Sequence, residues 1–229
     1  SRVKAIILKV ESPGGGVNAS NLIWNEVMKF KKSGKPIVAF FNGIAASGGY
    51  YVSAPADKII ATPETWTGSI GVVMQVPNYS GLLKKVGVEY TTIKSGARKD
   101  MLSSSKPTDK EDVRIAQSLV DGAFNRFVQK VVRGRHMDEA RVRVLADGRI
   151  YDAEQALNNG LIDQIGYIED SFEAAKDLAK IQTASLIQYE KKKDVFGDLF
   201  AAVSSKPLID IGQRVSINSP GLYYLWTAD

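Results

Sequence analysis

The stretch VKAIILKVESPGGGVNASNLIWNEVMKFKKSGKPIVAFF, residues 3–41, sets the fold class of this chain. It opens with an apolar run over residues 3–10 and closes with another over residues 36–41, each the length of one buried strand. Between them lie a glycine turn and, over residues 18–32, apolar residues at helical spacing. The order strand, glycine turn, helix, strand is typical of an α/β protein with largely parallel strand pairing.

The same reading extends along the chain. Residues 42–46 are predicted to turn the chain, and the motif Thr108-x-x-Glu111 is a capping-box signature that opens a long helix. Further strands are predicted over residues 58–61, 70–76 and 88–93, and helices over residues 47–54, 82–86, 108–132, 138–145, 153–158 and 171–180.

Length and composition limit the classes of function that are possible for this chain. The 229 residues are 44% hydrophobic and 24% charged, which is typical of a soluble globular protein of one large domain or two small ones. The net charge of +5 suits an anionic membrane surface or a nucleic acid equally well and identifies neither. Because the chain starts at Ser1, without a methionine and directly before a strand, we expect a fragment or a processed protein, in which any signal or anchor upstream would not be visible.

The sequence contains few of the side-chain types that commonly act as nucleophile or base. There is no cysteine, which excludes disulfides, thiolate catalysis and cysteine-ligated metals. The only histidine, His136, follows Arg133-Gly134-Arg135 in a basic turn between two helices, where we expect it to be exposed and not catalytic. A nucleophilic serine in this chain would therefore depend on a lysine as its general base.

A lysine that acts as a base must lose its proton near neutral pH, although its ordinary pKa is about 10.4. Burial lowers that value by up to about 3–5 units, and a carboxylate partner opposes the change. Three candidates, Lys94, Lys99 and Lys106, lie among serines in one segment, and spacing alone does not choose between them.

Two short segments have the composition of a catalytic site. Pro13-Gly14-Gly15-Gly16 separates a strand from a helix, and such a turn either binds an anion with its N–H groups or is simply a tight turn. In the second segment, residues 43–50 (GIAASGGY), Ser47 stands among small residues before a short helix. It is either a nucleophile with room for a substrate or an ordinary helix N-cap.

Taken together, these motifs resemble the signal peptide peptidase A family in its short bacterial form, over about residues 3–179. The matching motifs are SPGGG (12–16), AASGGYY (45–51), TGSIGV (67–72), KSGARK (94–99), DGRIY (147–151) and ALNNGLID (156–163).

The resemblance implies an α/β fold, the Clp protease/crotonase-like spiral of ββα units, with its N-terminal part missing and a helical C-terminal part. It implies a catalytic peptidase domain, which we place over residues 1–181. The hydrophobic aromatic end of the chain predicts that the C-terminal extension over residues 182–229 packs on the core or on a neighbouring subunit. It also implies a location at the bacterial cytoplasmic membrane, with the catalytic domain on the outer face and an anchor that this sequence lacks.

For the chemistry, the resemblance implies that Ser47 is the nucleophile, Lys99 the general base, and Ser69 the group that holds the lysine amine. The oxyanion hole would use backbone N–H groups of Gly48 and of Gly14 or Gly15. No metal and no cofactor are expected.

The implied partners are remnant signal peptides and other hydrophobic peptides as substrates, and further copies of the chain. The homo-oligomer would be a ring or dome in which one subunit supplies the lysine to the serine of the next. Nucleic acid is not an expected partner, because the positive charge is scattered and no nucleic-acid-binding motif occurs. The aromatic end LYYLW, residues 222–226, has the composition of a hydrophobic peptide, so we hypothesise that it visits an active site as a pseudo-substrate.

Two other functions remain open at this point. A crotonase-like acyl-CoA hydratase or isomerase would use the glycine turn for a thioester enolate, but residues 42–56 offer none of the aspartate or glutamate that this chemistry needs. An inactive ring-forming scaffold is the second alternative, and the presence of Ser47, Ser69 and Lys99 counts against it.

Overall fold

The computed structural model describes residues 3–188 and the backbone of a short strand at residues 223–225. The strands are β1 (Ile6–Ser12), β2 (Gly14–Gly16), β3 (Ile37–Ala46), β4 (Lys58–Ala61), β5 (Trp66–Gly68), β6 (Ile150–Asp152), β7 (Gln164–Ile165) and β8 (Tyr223–Leu225). The helices are α1 (Val17–Lys31), α2 (Gly48–Ser53), α3 (Ser80–Lys85), α4 (Lys110–Arg135), α5 (Glu139–Leu145), α6 (Ala153–Asn158) and α7 (Ile168–Ala179).

The central strand of the main sheet is β3. Its first half pairs in parallel with β1 and with β4, and its second half pairs in parallel with β5. Beyond β4 lies the parallel strand β7, and beyond β5 lies the antiparallel strand β6. The predicted α/β class with largely parallel pairing is confirmed.

Strand β3 is longer than the sequence predicted. Residues 42–46 were expected to turn the chain, but the strand continues to Ala46 because Ile44, Ala45 and Ala46 pair with β5. Small residues and glycine are typical of turns, so the sequence alone predicts a turn here. The strand that pairs with these residues lies 22 residues further along the chain and cannot be identified from the local sequence. This extension carries the end of the strand to Ser47.

Helices cover both faces of the sheet, and β3 shows why. Alternate residues of a strand point to opposite faces, so Ile37 and Phe41 pack in the core beneath α2 and α4, whereas Val38 and Phe40 pack against α7. Burial on both faces explains why this strand is a continuous apolar run instead of an alternating one.

Two predicted strands are wrong. Residues 70–76 form no strand beyond one isolated bridge at Val73, and residues 88–93 form none. In the second segment Val88, Tyr90 and Ile93 are exposed, Ile93 by 96%. A strand needs a neighbour for its backbone hydrogen bonds, and no strand of the described residues pairs with either segment.

The predicted helices are present, with shifted starts. Helix α4 begins at Lys110, because Asp109 and not Thr108 is its N-cap and accepts hydrogen bonds from the backbone N–H groups of Glu111 and Asp112. Helix α7 begins at Ile168, three residues before the predicted start. No helix within the described residues combines the length and the apolar character needed to cross a membrane.

Most of the predicted C-terminal extension, residues 189–222 and 226–229, lies outside the described residues. The exception is β8, whose backbone pairs antiparallel with β2, so that Tyr224 stands opposite Gly15. The domain boundary after residue 181 stays a prediction.

Candidate active site

Ser47 lies at the sharp junction between β3 and α2. Its backbone has φ 53° and ψ −113°, a conformation that a non-glycine residue adopts only when the surrounding structure holds it there. Two backbone hydrogen bonds of 2.8 Å do so, one from the Ser47 N–H to the Gly68 carbonyl and one from the Tyr51 N–H to the Ser47 carbonyl. A strained strand-to-helix turn of this kind is also how α/β hydrolases present a nucleophilic serine.

Buried aromatic residues fix the helix that follows Ser47. The Tyr50 hydroxyl donates a 2.9 Å hydrogen bond to the Leu161 carbonyl, and burial raises the pKa of this phenol far above its usual range. The Tyr51 ring meets Phe127 of α4 edge to face at 5.0 Å. The turn that carries Ser47 is therefore anchored on both sides, in β3 and in α2.

The hydroxyl of Ser47 is buried and unpaired. Ser47 is 1% exposed, its side chain makes no capping hydrogen bond, and its Oγ has no hydrogen-bond partner within the described part of the chain. Leaving a buried hydroxyl unpaired costs about 1–3 kcal/mol. The side chain of an ordinary N-cap serine is hydrogen-bonded to its helix, whereas the Ser47 hydroxyl is not. The N-cap interpretation of this side chain therefore fails, and a hydroxyl that pairs only with a bound substrate fits the structure better.

Ser69 lies beside this turn. It follows β5 as Ser47 follows β3, and the preceding residues Ala46 and Gly68 are paired across the two strands. Ser69 is 6% exposed, has φ 47°, and donates its N–H to the Arg149 carbonyl at 2.8 Å. Two serines that are distant in sequence therefore come to the same edge of the sheet, both with left-handed backbone.

The glycine turn closes the site from the other side. A Cβ placed on Gly48 would lie 3.2 Å from the Gly15 nitrogen and 3.3 Å from the Gly14 carbonyl carbon, so the first turn of α2 contacts this peptide unit. Only glycine allows so close an approach. The Gly14 N–H donates to Ser12 Oγ at 3.2 Å, which holds the turn in shape. The structure thus brings Gly14, Gly15 and Gly48 together next to Ser47.

Lys99 is not part of this cluster within one chain. It is exposed in the loop between α3 and α4, and its Nζ is not within hydrogen-bond distance of Ser47 Oγ. Ser47, Ser69 and the glycine turn are therefore brought together by the fold, whereas the predicted base lies apart from them.

The loop nevertheless separates the three candidate lysines. Lys94 and Lys106 contact the Asp100 carboxylate at 2.7 and 3.1 Å, and the hydrogen bond to Asp100 raises the pKa of Lys106, the wrong direction for a base. Lys99 forms no ion pair within the described residues. The ion pairs distinguish the three lysines, which spacing alone did not do, although the position of Asp100 between Lys94 and Lys106 could have suggested them.

The remaining candidate groups add no chemistry. His136 is exposed, as predicted, and ends α4 in a left-handed conformation with φ 53°. Among residues 3–188, no cluster of three or more histidine, aspartate or glutamate side chains is arranged to hold a metal ion.

Comparison with known proteins finds similar proteins that are named as peptidases. A protein of Enterococcus faecium named "Putative signal peptide peptidase SppA" is 51% identical over 195 residues, which cover 85% of this chain and 56% of that protein. "Protease 4" of Salmonella typhi is 35% identical over 85% of this chain and 31% of its own length. "Serine protease SPPA, chloroplastic" of Arabidopsis thaliana is 31% identical over 89% of this chain and 31% of its own length.

The chain thus spans about a third to a little over half of the length of these relatives. The family model described as Peptidase family S49 matches residues 29–182, which include Ser47, Ser69 and Lys99. Because this match covers more than half of the 229 residues, the chain belongs to peptidase family S49.

Proposed function

We propose that this chain is a serine peptidase with a Ser47–Lys99 dyad that cleaves remnant signal peptides and other hydrophobic peptides at a membrane surface. The observation that carries the proposal is the buried, unpaired Ser47 hydroxyl on a strained turn beside the glycine peptide of residues 14–15. Membership of a peptidase family favours this function over the acyl-CoA alternative.

The mechanism follows from these positions. The neutral Lys99 amine accepts the proton of Ser47 Oγ while the oxygen attacks the peptide carbonyl carbon. The negative charge that develops on the carbonyl oxygen is stabilised by N–H groups of Gly48 and of the 14–15 turn. The protonated lysine then gives its proton to the leaving amine, and water hydrolyses the acyl-enzyme by the reverse proton path. Ser69 holds the lysine amine in place throughout.

The separation of Lys99 from Ser47 within one chain supports a lysine supplied by a neighbour. The segment that leads to Lys99 exposes an unusual number of large apolar side chains, which marks an interaction surface. These are Tyr79, Leu82, Val86, Val88, Tyr90 and Ile93, which we call the apolar arm. If a second copy of the chain covers the apolar arm, Lys99 of the first copy would lie next to Ser47 of the second. Repetition of this contact would give a ring or dome.

Two features support an extended, hydrophobic substrate. The pairing of β8 with β2 uses the same edge of the glycine turn at which a substrate strand would add, so an extended peptide has backbone partners there. Beside Ser69 lies a cavity of about 320 Å³ with room for a substrate side chain, whose wall includes the apolar Val72, Phe124 and Ala146 as well as Asp121 and Asp147. The β8 pairing also supports the hypothesis that the aromatic tail occupies the site as a pseudo-substrate.

The proposal includes the finer fold and the location. The parallel strands that end at Ser47 and Ser69 fit a Clp protease/crotonase-like spiral of ββα units. The net charge of +5 and a hydrophobic substrate fit a catalytic domain on the outer face of the bacterial cytoplasmic membrane, anchored by another part of the protein.

A fluorophosphonate probe tests the proposal, because it labels a serine only when that serine is activated. We expect stoichiometric labelling of the assembled protein, none in Ser47→Ala and at least a hundredfold slower labelling in Lys99→Ala. Lys110→Ala, which removes an exposed lysine at the start of α4, is the matched control and should label at the wild-type rate. Wild-type labelling in Lys99→Ala would overturn the dyad, and no labelling of any form would favour the inactive scaffold.

A further inference from the structure

The loop that carries Lys99 is held by a connected set of ion pairs, which we call the loop clasp: Lys94, Arg98, Asp100, Lys106 and Asp112. Asp100 Oδ1 lies 2.7 Å from Lys94 Nζ and 3.1 Å from Lys106 Nζ. Asp112 Oδ1 lies 2.7 Å from an Arg98 guanidinium nitrogen, and Asp112 Oδ2 lies 3.2 Å from Lys106 Nζ. Lys106 therefore joins the two carboxylates into one network.

Asp112 attaches the loop clasp to helix α4. Its side chain is 1% exposed and lies in the first turn of α4, a helix whose far end packs in the core through Phe127 and Val131. A buried carboxylate is stable only while it is paired, so Asp112 requires the cations that the loop brings to it. The loop is thereby tied to a rigid element of the fold.

The loop clasp holds the chain on both sides of Lys99. Arg98, the preceding residue, is tied to Asp112, and Asp100, the following residue, is tied to Lys94 and Lys106. Lys99 itself has no ion pair among the described residues. We propose that the loop clasp is a positioning device that presents the Lys99 amine as a base, with the Arg98–Asp112 pair as its anchor; this inference rests on the proposed function.

The ion pairs also keep the neighbouring carboxylates from pairing with the Lys99 amine. A carboxylate beside a lysine favours the protonated amine, which cannot act as a base. Four acidic side chains follow Lys99 up to residue 112, and each is paired: Asp100 with two lysines, Asp109 and Asp112 with Arg98, and Glu111 with Arg114. Hydrogen bonds from Lys94 and Lys106 lower the pKa of Asp100 to about 2, so this carboxylate stays ionised and paired at working pH.

The test compares two identical substitutions at the same end of α4. Arg98→Gln removes the anchor, whereas Arg114→Gln removes the exposed Arg114–Glu111 pair, which contacts no residue of the loop clasp. We expect Arg98→Gln to lower kcat for a fluorogenic peptide, and the rate of Ser47 labelling, by about 10- to 100-fold with an unchanged KM, because misplacement of a catalytic group costs rate and not binding. Arg114→Gln should stay within about twofold of wild type, and Arg98→Lys, which keeps one cation on Asp112, should recover part of the loss.

Thermal unfolding separates positioning from folding. Arg98→Gln leaves the buried Asp112 with Lys106 alone, so its Tm should fall below that of Arg114→Gln, and kcat is compared per folded protein at a temperature at which both variants are folded. A loss of kcat that matches the loss of folded protein would overturn the inference, as would a kcat equal to that of Arg114→Gln. If Lys99→Ala abolishes labelling while Arg98→Gln does not change it, the inference alone is wrong. If Lys99→Ala labels normally, the proposed function is wrong as well.

Discussion

The Ser47 N–H donates a 2.8 Å hydrogen bond to the carbonyl of Gly68, the residue that precedes Ser69. This bond joins two turns that share one feature, a buried serine with positive φ at the end of a parallel strand. Positive φ costs about 1–3 kcal/mol at a non-glycine residue. Two such residues side by side therefore indicate a site whose geometry is kept although it lowers the stability of the fold.

The first prediction concerns Ser69. Ser69→Ala should lower kcat by about 10- to 100-fold with little change in KM, because the lysine amine loses the hydroxyl that orients it. The measurement is steady-state cleavage of a fluorogenic hydrophobic peptide, with Tm recorded for each variant. Ser118→Ala, which removes an exposed hydroxyl from α4, is the control. A kcat for Ser69→Ala equal to that of Ser118→Ala would exclude a role for Ser69 in the reaction.

The second prediction concerns Gly48. A Cβ at this position would lie 2.5 Å from Ser20 Oγ as well as within 3.3 Å of the glycine turn, so Gly48→Ala must push the turn away from α2. Loss of one oxyanion donor lowers kcat by about 10²–10³-fold. Gly122→Ala is the control, since its Cβ would meet only the flexible end of Arg126 at 3.4 Å. Binding of a peptide aldehyde, which forms the oxyanion, should weaken in parallel with kcat, and unchanged aldehyde binding would contradict the assignment.

The third prediction tests whether the lysine comes from another copy of the chain. Ser47→Ala and Lys99→Ala are each expected to be inactive alone, and mixed subunits should regain part of the wild-type activity because one keeps the serine and the other the lysine. Ile93→Lys places a charge on the most exposed residue of the apolar arm and should abolish both assembly and this complementation. Sedimentation velocity reports the assembly. Activity in a monomeric Ile93→Lys protein would show that Lys99 reaches Ser47 within one chain.

The fourth prediction concerns the C-terminal strand. Removal of residues 205–229 deletes β8 and should lower the KM for an added peptide without raising kcat, because a competing strand no longer pairs with β2. Tyr224→Pro in the full chain is the matched variant, since proline removes a backbone N–H from a paired position. It should reproduce the change in KM. Unchanged KM and unchanged assembly in both proteins would dispose of the pseudo-substrate hypothesis.

The fifth prediction concerns acid stability. Hydrogen bonds from Arg149 lower the pKa of Asp147 to about 2, from an ordinary value near 4. A carboxylate with a depressed pKa stabilises the fold above its unfolded-state value, and this contribution is lost as the pH falls from about 4 toward 2. Asp147→Asn should therefore show a shallower fall of Tm over this interval than wild type. Asp177→Asn, on the exposed face of α7, is the control, and identical slopes in all three proteins would refute the prediction.

Local sequence was sufficient for much of this protein. The long helix before His136 carries its own apolar periodicity, and the strand at residues 36–41 is marked by the length of its apolar run, so both could be predicted without knowledge of their neighbours. The absence of cysteine and the single histidine, placed in a basic turn, predict from composition and local sequence that a nucleophilic serine would need a lysine as its base.

Tertiary structure decided what depends on partners distant in the sequence. Residues 42–46 became strand because β5 pairs with them, and residues 88–93 failed to become strand because no described strand does. The conformation of the loop, which spacing does not reveal, pairs Lys94 and Lys106 with carboxylates six residues away and leaves Lys99 without an ion pair among the described residues. Backbone pairing and charge pairing are contacts between two segments, so one segment carries only half of the information that determines them.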